Sequence, residues 1–224
     1  MTYVILKKCK VLLRRLKGGT HRRVLWSDEA PFTIEQEFNK QNNRILTKDV
    51  ATANSQGRIV QKSAHPKSLM VWAGVTADGK TPLVFVQPGV KIDQNYYEKE
   101  ILMRHMKPWA DNHFSGAPWI FQQDSAPAHR AKKTMEWFAK QNVDFITPEE
   151  WPANSPDINP MDFAIWGILK AKVSSAPHAN LDDLKATLIK EWAKIPVETL
   201  RAAVDDVPKR LRACMKEKGG NFEI

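Results

Sequence analysis

Two apolar runs, SLMVWAGVT (68–76) and LVFVQ (83–87), are separated by an Asp78-Gly79 turn, and this stretch restricts the fold more than any other. Asp-Gly between strand-like runs marks a tight hairpin, so the sheet begins antiparallel. Beyond the hairpin, helical and strand patterns alternate. A helical pattern starts at about Asp93, with Tyr97, Ile101 and Met106 on one face and Pro108 kinking or ending it. WIFQQ (119–123) reads as a buried strand, 130–141 as a helix and VDFI (143–146) as another short strand. Strands separated by helices pair in parallel through right-handed crossovers. With VLWSD (24–28) as an opening strand, the expectation is an α/β domain with a mixed sheet. After the loop EEWPANSPDINP a helix begins near Pro160. Two more helices complete the chain, one capped by Asn180 with Asp182 and Asp183 in its first turn.

The 224 residues suit one domain with an appendage, and 42% hydrophobic with 26% charged residues excludes disordered, collagenous and coiled-coil chains. No stretch approaches the roughly 18 apolar residues of a membrane helix, and YVIL runs at once into KKCK, too brief for a secretory core. No membrane partner is expected. Cys9 and Cys214 are too few for a disulfide framework, which favours a reducing compartment.

The net charge of +9 is concentrated at the start. Eight Lys or Arg and no acid precede Asp28, so residues 1–23 read as a basic N-terminal segment ahead of a domain at 24–224. Arg14, Arg15, Arg22 and Arg23 are its candidate DNA contacts, because basic clusters attract polyanions. The competing reading is a packed helix with Val11, Leu12, Leu13 and Leu16 in the core and the basic residues merely solvated. A polar excursion at about 39–63 interrupts the early strands and reads as a loop that orders on a partner.

Three acids sit at element ends: Asp28 closes VLWSD, Asp124 closes WIFQQD, and Asp162 lies in the first turn of the helix entered through SPDINPMD. Ligands of open α/β sheets collect at the C-terminal ends of adjacent strands. Clustered carboxylates repel one another unless a cation neutralises them, and all-oxygen ligands select Mg²⁺ or Mn²⁺. Two such ions serve phosphodiester displacement, which points to a nucleic-acid backbone. Each acid also has a structural reading. Asp28 and Asp124 suit turns, and Asp162 suits the N3 position after an Asn159 cap and Pro160. Asp157 is a rival third ligand. His129 could orient water or phosphate, although a lone His is more often structural, and Trp151 on the loop is open to contacting a partner.

The blocks VLWSDEAPFTIE, WIFQQDSAPAHRA and WPANSPDINPMDFAIWGILK resemble the three signature blocks of the mariner-like transposases. The third block is the most specific, and its register selects Asp162 over Asp157, with Asp28 and Asp124 matching the first two acids. The resemblance implies a ribonuclease-H-like fold, metal-dependent cutting of DNA at transposon inverted repeats, and transfer of the freed 3′ ends into target DNA, in the nucleus. It further implies a homodimer, with the 39–63 excursion reaching across to the second subunit. The 37 residues between Asp124 and Asp162 are a few more than in mariner enzymes proper, and Ser125 stands where Asn is usual. Family members carry two helix-turn-helix modules before the catalytic domain. Only 27 residues precede Asp28 here, so a catalytic domain alone is expected. The rival expectations are a general nuclease of the same fold, and a domesticated or decayed domain kept for DNA binding or protein interaction.

Overall fold

The computed structural model describes residues 2–36, 47–53, 66–220 and 222. Strands β1 (Val24–Thr33), β2 (Ser68–Val75), β3 (Val84–Val86) and β4 (Ile120–Gln122) form one sheet in the order β3-β2-β1-β4. β2 is antiparallel to β1 and β3, and β4 is parallel to β1, so the sheet is mixed as expected. The hairpin is closed by the Thr76 N–H, which donates to the Gly79 carbonyl at 2.8 Å. Most of the 39–63 excursion lies outside the described residues; within it, 47–53 carry only the single turn α2 (Val50–Ala53).

The first strand does not end at Asp28. It runs on to Thr33 because β2 pairs with it as far as Ser68. A bond from the Ile34 N–H to the Lys67 carbonyl (3.1 Å) sets the phase of this ladder: even-numbered residues of β1 point their backbone groups at β2, odd-numbered ones away. Pro31, which has no N–H, falls in the odd set, on the side where β4 has already stopped.

Side chains alternate between two layers. Val24, Trp26, Ala30 and Phe32 pack with α1 (Thr2–Arg15), α6 (Trp166–Val173), α7 (Leu181–Ala193) and α8 (Val197–Lys216). Leu25, Trp72 and Phe121 pack on the other face with Tyr97, Ile101, Met106 and α5 (Lys132–Lys140).

Asp93 caps the long helix by accepting the Tyr96 N–H at 2.8 Å. The helix starts as α3 (Gln94–Tyr96), turns π-helical over Tyr97–Met106 and finishes as α4 (Lys107–Phe114). It passes through Pro108 without ending there: the Lys107 N–H still bonds the Leu102 carbonyl in π-helical fashion, and Pro108, which has no N–H to give, follows at the change from π to α geometry. The expected strand at 143–146 shrinks to one parallel bridge, Phe121 to Phe145. The chain leaves α5 through Asn142 (φ 51), turns again when Glu150 donates to the Thr147 carbonyl, and gives its Phe145 carbonyl to Arg15 at 3.1 Å. These constraints leave no length for a ladder.

Residues 2–23 are packed against the rest. Cys9 and Leu12 of α1, with Leu16 just past its end, are buried in the same apolar cluster as Trp26 and Leu211. Arg15 bridges Asp144 (2.5 Å) and Glu150, and Arg22 grips both oxygens of Asp205 at 2.8 Å, while Arg14 and Arg23 are exposed. Trp151 is also buried, its ring 6.3 Å from that of Trp26, and it borders the cavity that Asp28, Asp124 and Asp162 line. Among the described residues no helix is long and apolar enough to cross a membrane.

Candidate active site

Register brings the first two acids together. β1 and β4 pair Val24 with Ile120 and Trp26 with Gln122, and two residues further along each strand stand Asp28 and Asp124. Just there the ladder gives way to side chains. The Ser27 N–H donates to Gln122 Oε1 at 3.1 Å, and Ser27 Oγ donates to the Gln122 carbonyl at 2.8 Å.

The third acid is delivered by Asn159, a buried amide. Its Oδ1 accepts the Met161 N–H at 3.1 Å, its carbonyl accepts the Asp162 N–H at 3.0 Å, and its Nδ2 donates to the Ser27 carbonyl at 3.1 Å. The cap is therefore Asn159, and Asp162 comes two residues after Pro160 with its carboxylate left for other work. Asp28, Glu29, Asp124 and Asp162 line one cavity of about 380 Å³, with Ser125 and Asn159 in its wall. Asp157 does not line it. That residue is exposed, and its carbonyl takes the Arg210 guanidinium at 3.2 Å.

The electrostatics match a crowded acid cluster. Burial and then the negative charge of Asp162 push the Asp28 carboxyl up to about 8, against a hydrogen bond from Trp166 Nε1 to Asp28 Oδ2 at 2.8 Å. Asp162 is raised as well, by its enclosed side first, with the charge of Asp124 adding and hydrogen bonds from Asp28 and Asn159 opposing. Asp124 behaves differently. Burial works to raise it, but the His129 imidazole, with Nδ1 2.5 Å from Asp124 Oδ1, outweighs this and holds it below the usual range.

His129 is buried, and burial alone would lower it, yet Glu29 and Asp124 together drive it up to about 10. Its Nε2 stands 3.5 Å from Glu29 Oε1, an ion-pair distance that leaves this buried oxygen without a hydrogen bond. Tyr97 lies against the imidazole at 4.0 Å between ring centres, and its hydroxyl donates to Gln123, whose amide donates to the His129 carbonyl. His129 is thus a structural partner of Asp124.

Sequence reasoning missed Glu29 and Trp166. Neighbours on a strand face opposite layers, so Glu29 reaches the His129 side while Asp28 faces α6. Trp166 lies four residues after Asp162, one helical turn along the same face, a spacing that could have identified it. No lysine or arginine makes an ion pair with Asp28, Asp124 or Asp162 among the described residues. The acids line the cavity without closing into a three-ligand metal cage, and Asp124 is turned to His129. The donor set is all carboxylate oxygen, and four acids face the single cation of His129, which suits a hard divalent cation.

A mixed sheet of this order, helices on both faces and acids placed side by side where the parallel β1–β4 ladder stops define a ribonuclease-H-like catalytic domain. The profile of the DDE superfamily endonucleases matches residues 23–185, and the chain belongs to that family. It is homologous to the Tc1/mariner transposases. Over 196 residues it is 27% identical to the Tcb1 transposase of Caenorhabditis briggsae and 28% identical to the Tc1 transposase of Caenorhabditis elegans, covering 87% of this chain and 68% of each relative. The catalytic domain of Mos1 mariner transposase superposes with a TM-score of 0.75 at 17% identity, covering 99% of this chain and 95% of that one. A Mos1 paired-end complex with the left transposon end superposes with a TM-score of 0.79, and there the chain spans 63% of the longer polypeptide.

Proposed function

We propose that this domain cuts DNA at transposon ends and joins the freed 3′ ends to target DNA, with Asp28, Asp124 and Asp162 holding divalent cation. The observation that carries the reading is the convergence of three carboxylates in one cavity, with the Asp28 carboxyl pushed up to about 8 by burial and by Asp162. Membership of the DDE endonucleases supports it, as do Mos1 structures described as a strand transfer complex and as catalytic domains with Mg or Mn.

When bound, a divalent ion, Mg²⁺ or Mn²⁺, supplies Lewis-acid stabilisation of the attacking and leaving oxygens of the phosphodiester, and two ions are the proposed stoichiometry. The chain's own groups prepare the ligands. Asp28 gives up its proton, and the Trp166 indole N–H fixes which way Oδ2 faces. His129 keeps Asp124 ionised and oriented. Asn159 holds the start of the Asp162 helix against β1. Without a cation the cavity is negative and repels a phosphate, so cation and DNA bind in concert. The proposal extends to a homodimer on double-stranded DNA in the nucleus, where the DNA substrate resides.

The test is a nicking assay on supercoiled plasmid with Mn²⁺, and then joining of a pre-cut 3′ end. Wild-type protein is expected to do both, and Asp28→Asn, Asp124→Asn and Asp162→Asn to do neither. Nicking without joining would mark a general nuclease of the same fold, and wild-type activity in any variant would remove that acid from the site.

A further inference from the structure

A second groove lies beside the carboxylate cavity. Its volume is about 590 Å³, its lining includes Tyr3, Val4, Lys7, Lys8 and Arg130, and it shares Ser125 with the cavity holding Asp28, Asp124 and Asp162. The two recesses are therefore neighbours, with Ser125 in the wall of both.

One wall is a single face of α1, since Tyr3, Lys7 and Val11 recur every four residues, as do Val4 and Lys8. The opposite face, Cys9 and Leu12, is buried, so the groove wall is the side of the helix left over from packing. Lys8 fixes its position by donating to the carbonyls of Pro148 (2.7 Å) and Trp151 (2.9 Å).

Tyr3 and Val4 are 76% and 54% exposed, large apolar side chains at a place where water meets them. Lys7 and Arg130 are exposed and carry no ion pair among the described residues, and the charge of Arg130 reaches Asp124. Glu149 is the only acid in the lining, so the groove is net positive beside a negative cavity. Arg15 and Arg22, in contrast, are held by Asp144, Glu150 and Asp205.

A basic groove with an exposed aromatic ring suits single-stranded nucleic acid, whose phosphates take the cations while a base stacks on the ring. We propose that this groove receives the few nucleotides of unpaired DNA strand that run out of the carboxylate site, with Lys7 and Arg130 on phosphates and Tyr3 under a base. The inference rests on the nuclease reading for the identity of the strand.

The test uses the whole chain with Ca²⁺, a hard oxygen-ligated ion that neutralises the carboxylates, and fluorescein-labelled duplexes that are blunt or carry a 3′ single-stranded tail containing 2-aminopurine, across a potassium chloride series. Wild-type protein is expected to prefer the tailed duplex. Lys7→Ala/Arg130→Ala should lose that preference and lower the log-log salt slope by about 1.4, two contacts at about 0.7 each on single strands. Tyr3→Ala should keep the slope and lose the change in 2-aminopurine fluorescence. Lys99→Ala/Lys190→Ala, exposed residues outside the groove, should keep the preference. Persistence of both tail preference and slope in Lys7→Ala/Arg130→Ala, with its melting temperature unchanged, would overturn the proposal. Mn²⁺-dependent nicking by wild type, measured in parallel, separates the two claims. Nicking with an unchanged slope counts against the groove alone, and groove binding without nicking counts against the carboxylate reading alone.

Discussion

Asn159 Nδ2 donates to the Ser27 carbonyl at 3.1 Å, across 132 residues of chain, and so ties the helix that carries Asp162 to the strand that carries Asp28. The same side chain caps that helix through the Met161 N–H. Replacing it strands a buried carbonyl and a helix N–H together.

Asn159→Ala is therefore expected to destabilise the domain by about 2–4 kcal/mol, the sum of a lost cap and an unpaired buried carbonyl. Asp162→Asn should be nearly neutral, since Asp162 is not the cap. Urea denaturation of both variants checks this; equal losses would assign the cap to Asp162.

The Asp28 carboxyl gives metal-free protein a definite pH signature. Its folded value of about 8 lies above the ordinary value of about 3.9, so between those limits the folded state holds the extra proton. This contribution to stability falls as pH rises from about 4 and is exhausted above about 8. In Asp28→Asn the decline is expected to vanish. Cation must displace that proton, so its affinity should rise by up to tenfold per pH unit until about pH 8 and then level off. In Trp166→Phe, which deprives the charged form of a hydrogen bond, the levelling should move to higher pH. Calorimetric titration of Mn²⁺ at several pH values reads both effects.

His129 has its own window. Its folded value of about 10 exceeds the ordinary value of about 6.5, so its pairing with Asp124 and Glu29 contributes fully below about pH 6.5 and is lost as pH rises through about 10. His129→Ala is expected to cost about 2–4 kcal/mol at pH 6, less than the 3–5 of a fully buried pair because Asp124 is half-exposed. The gap from wild type should narrow toward pH 10 in urea denaturation; a gap independent of pH would reduce His129 to packing against Tyr97.

Much of this was legible in the chain because it depends on local chemistry. Asp78-Gly79 signals the hairpin, Asn159-Pro160 signals a helix start, and the spacing of acids in three blocks signals the site. The parts that were not legible depend on pairing across distance. Whether VLWSD stops at Asp28 or runs to Thr33 is decided by the length of β2, and the shortness of the 143–146 bridge by Arg15 arriving from α1. Glu29 and Trp166 join the site only once β1, α6 and the His129 loop are side by side. The basic segment looked uniform in sequence, yet folding divides it into arginines held by Asp144, Glu150 and Asp205 and a Lys7 left on the groove.

The central claim is that Asp28, Asp124 and Asp162 together hold divalent cation. Thermal unfolding across a Mn²⁺ series at pH 8, wild type against the Asp28→Asn/Asp124→Asn/Asp162→Asn variant, addresses it directly. The wild-type midpoint should climb with the logarithm of Mn²⁺ concentration well above the dissociation constant, as for a ligand that binds only the folded state. The variant should stay flat across the series, whatever its starting midpoint. A climb of equal slope in the variant would place the metal elsewhere and contradict the account.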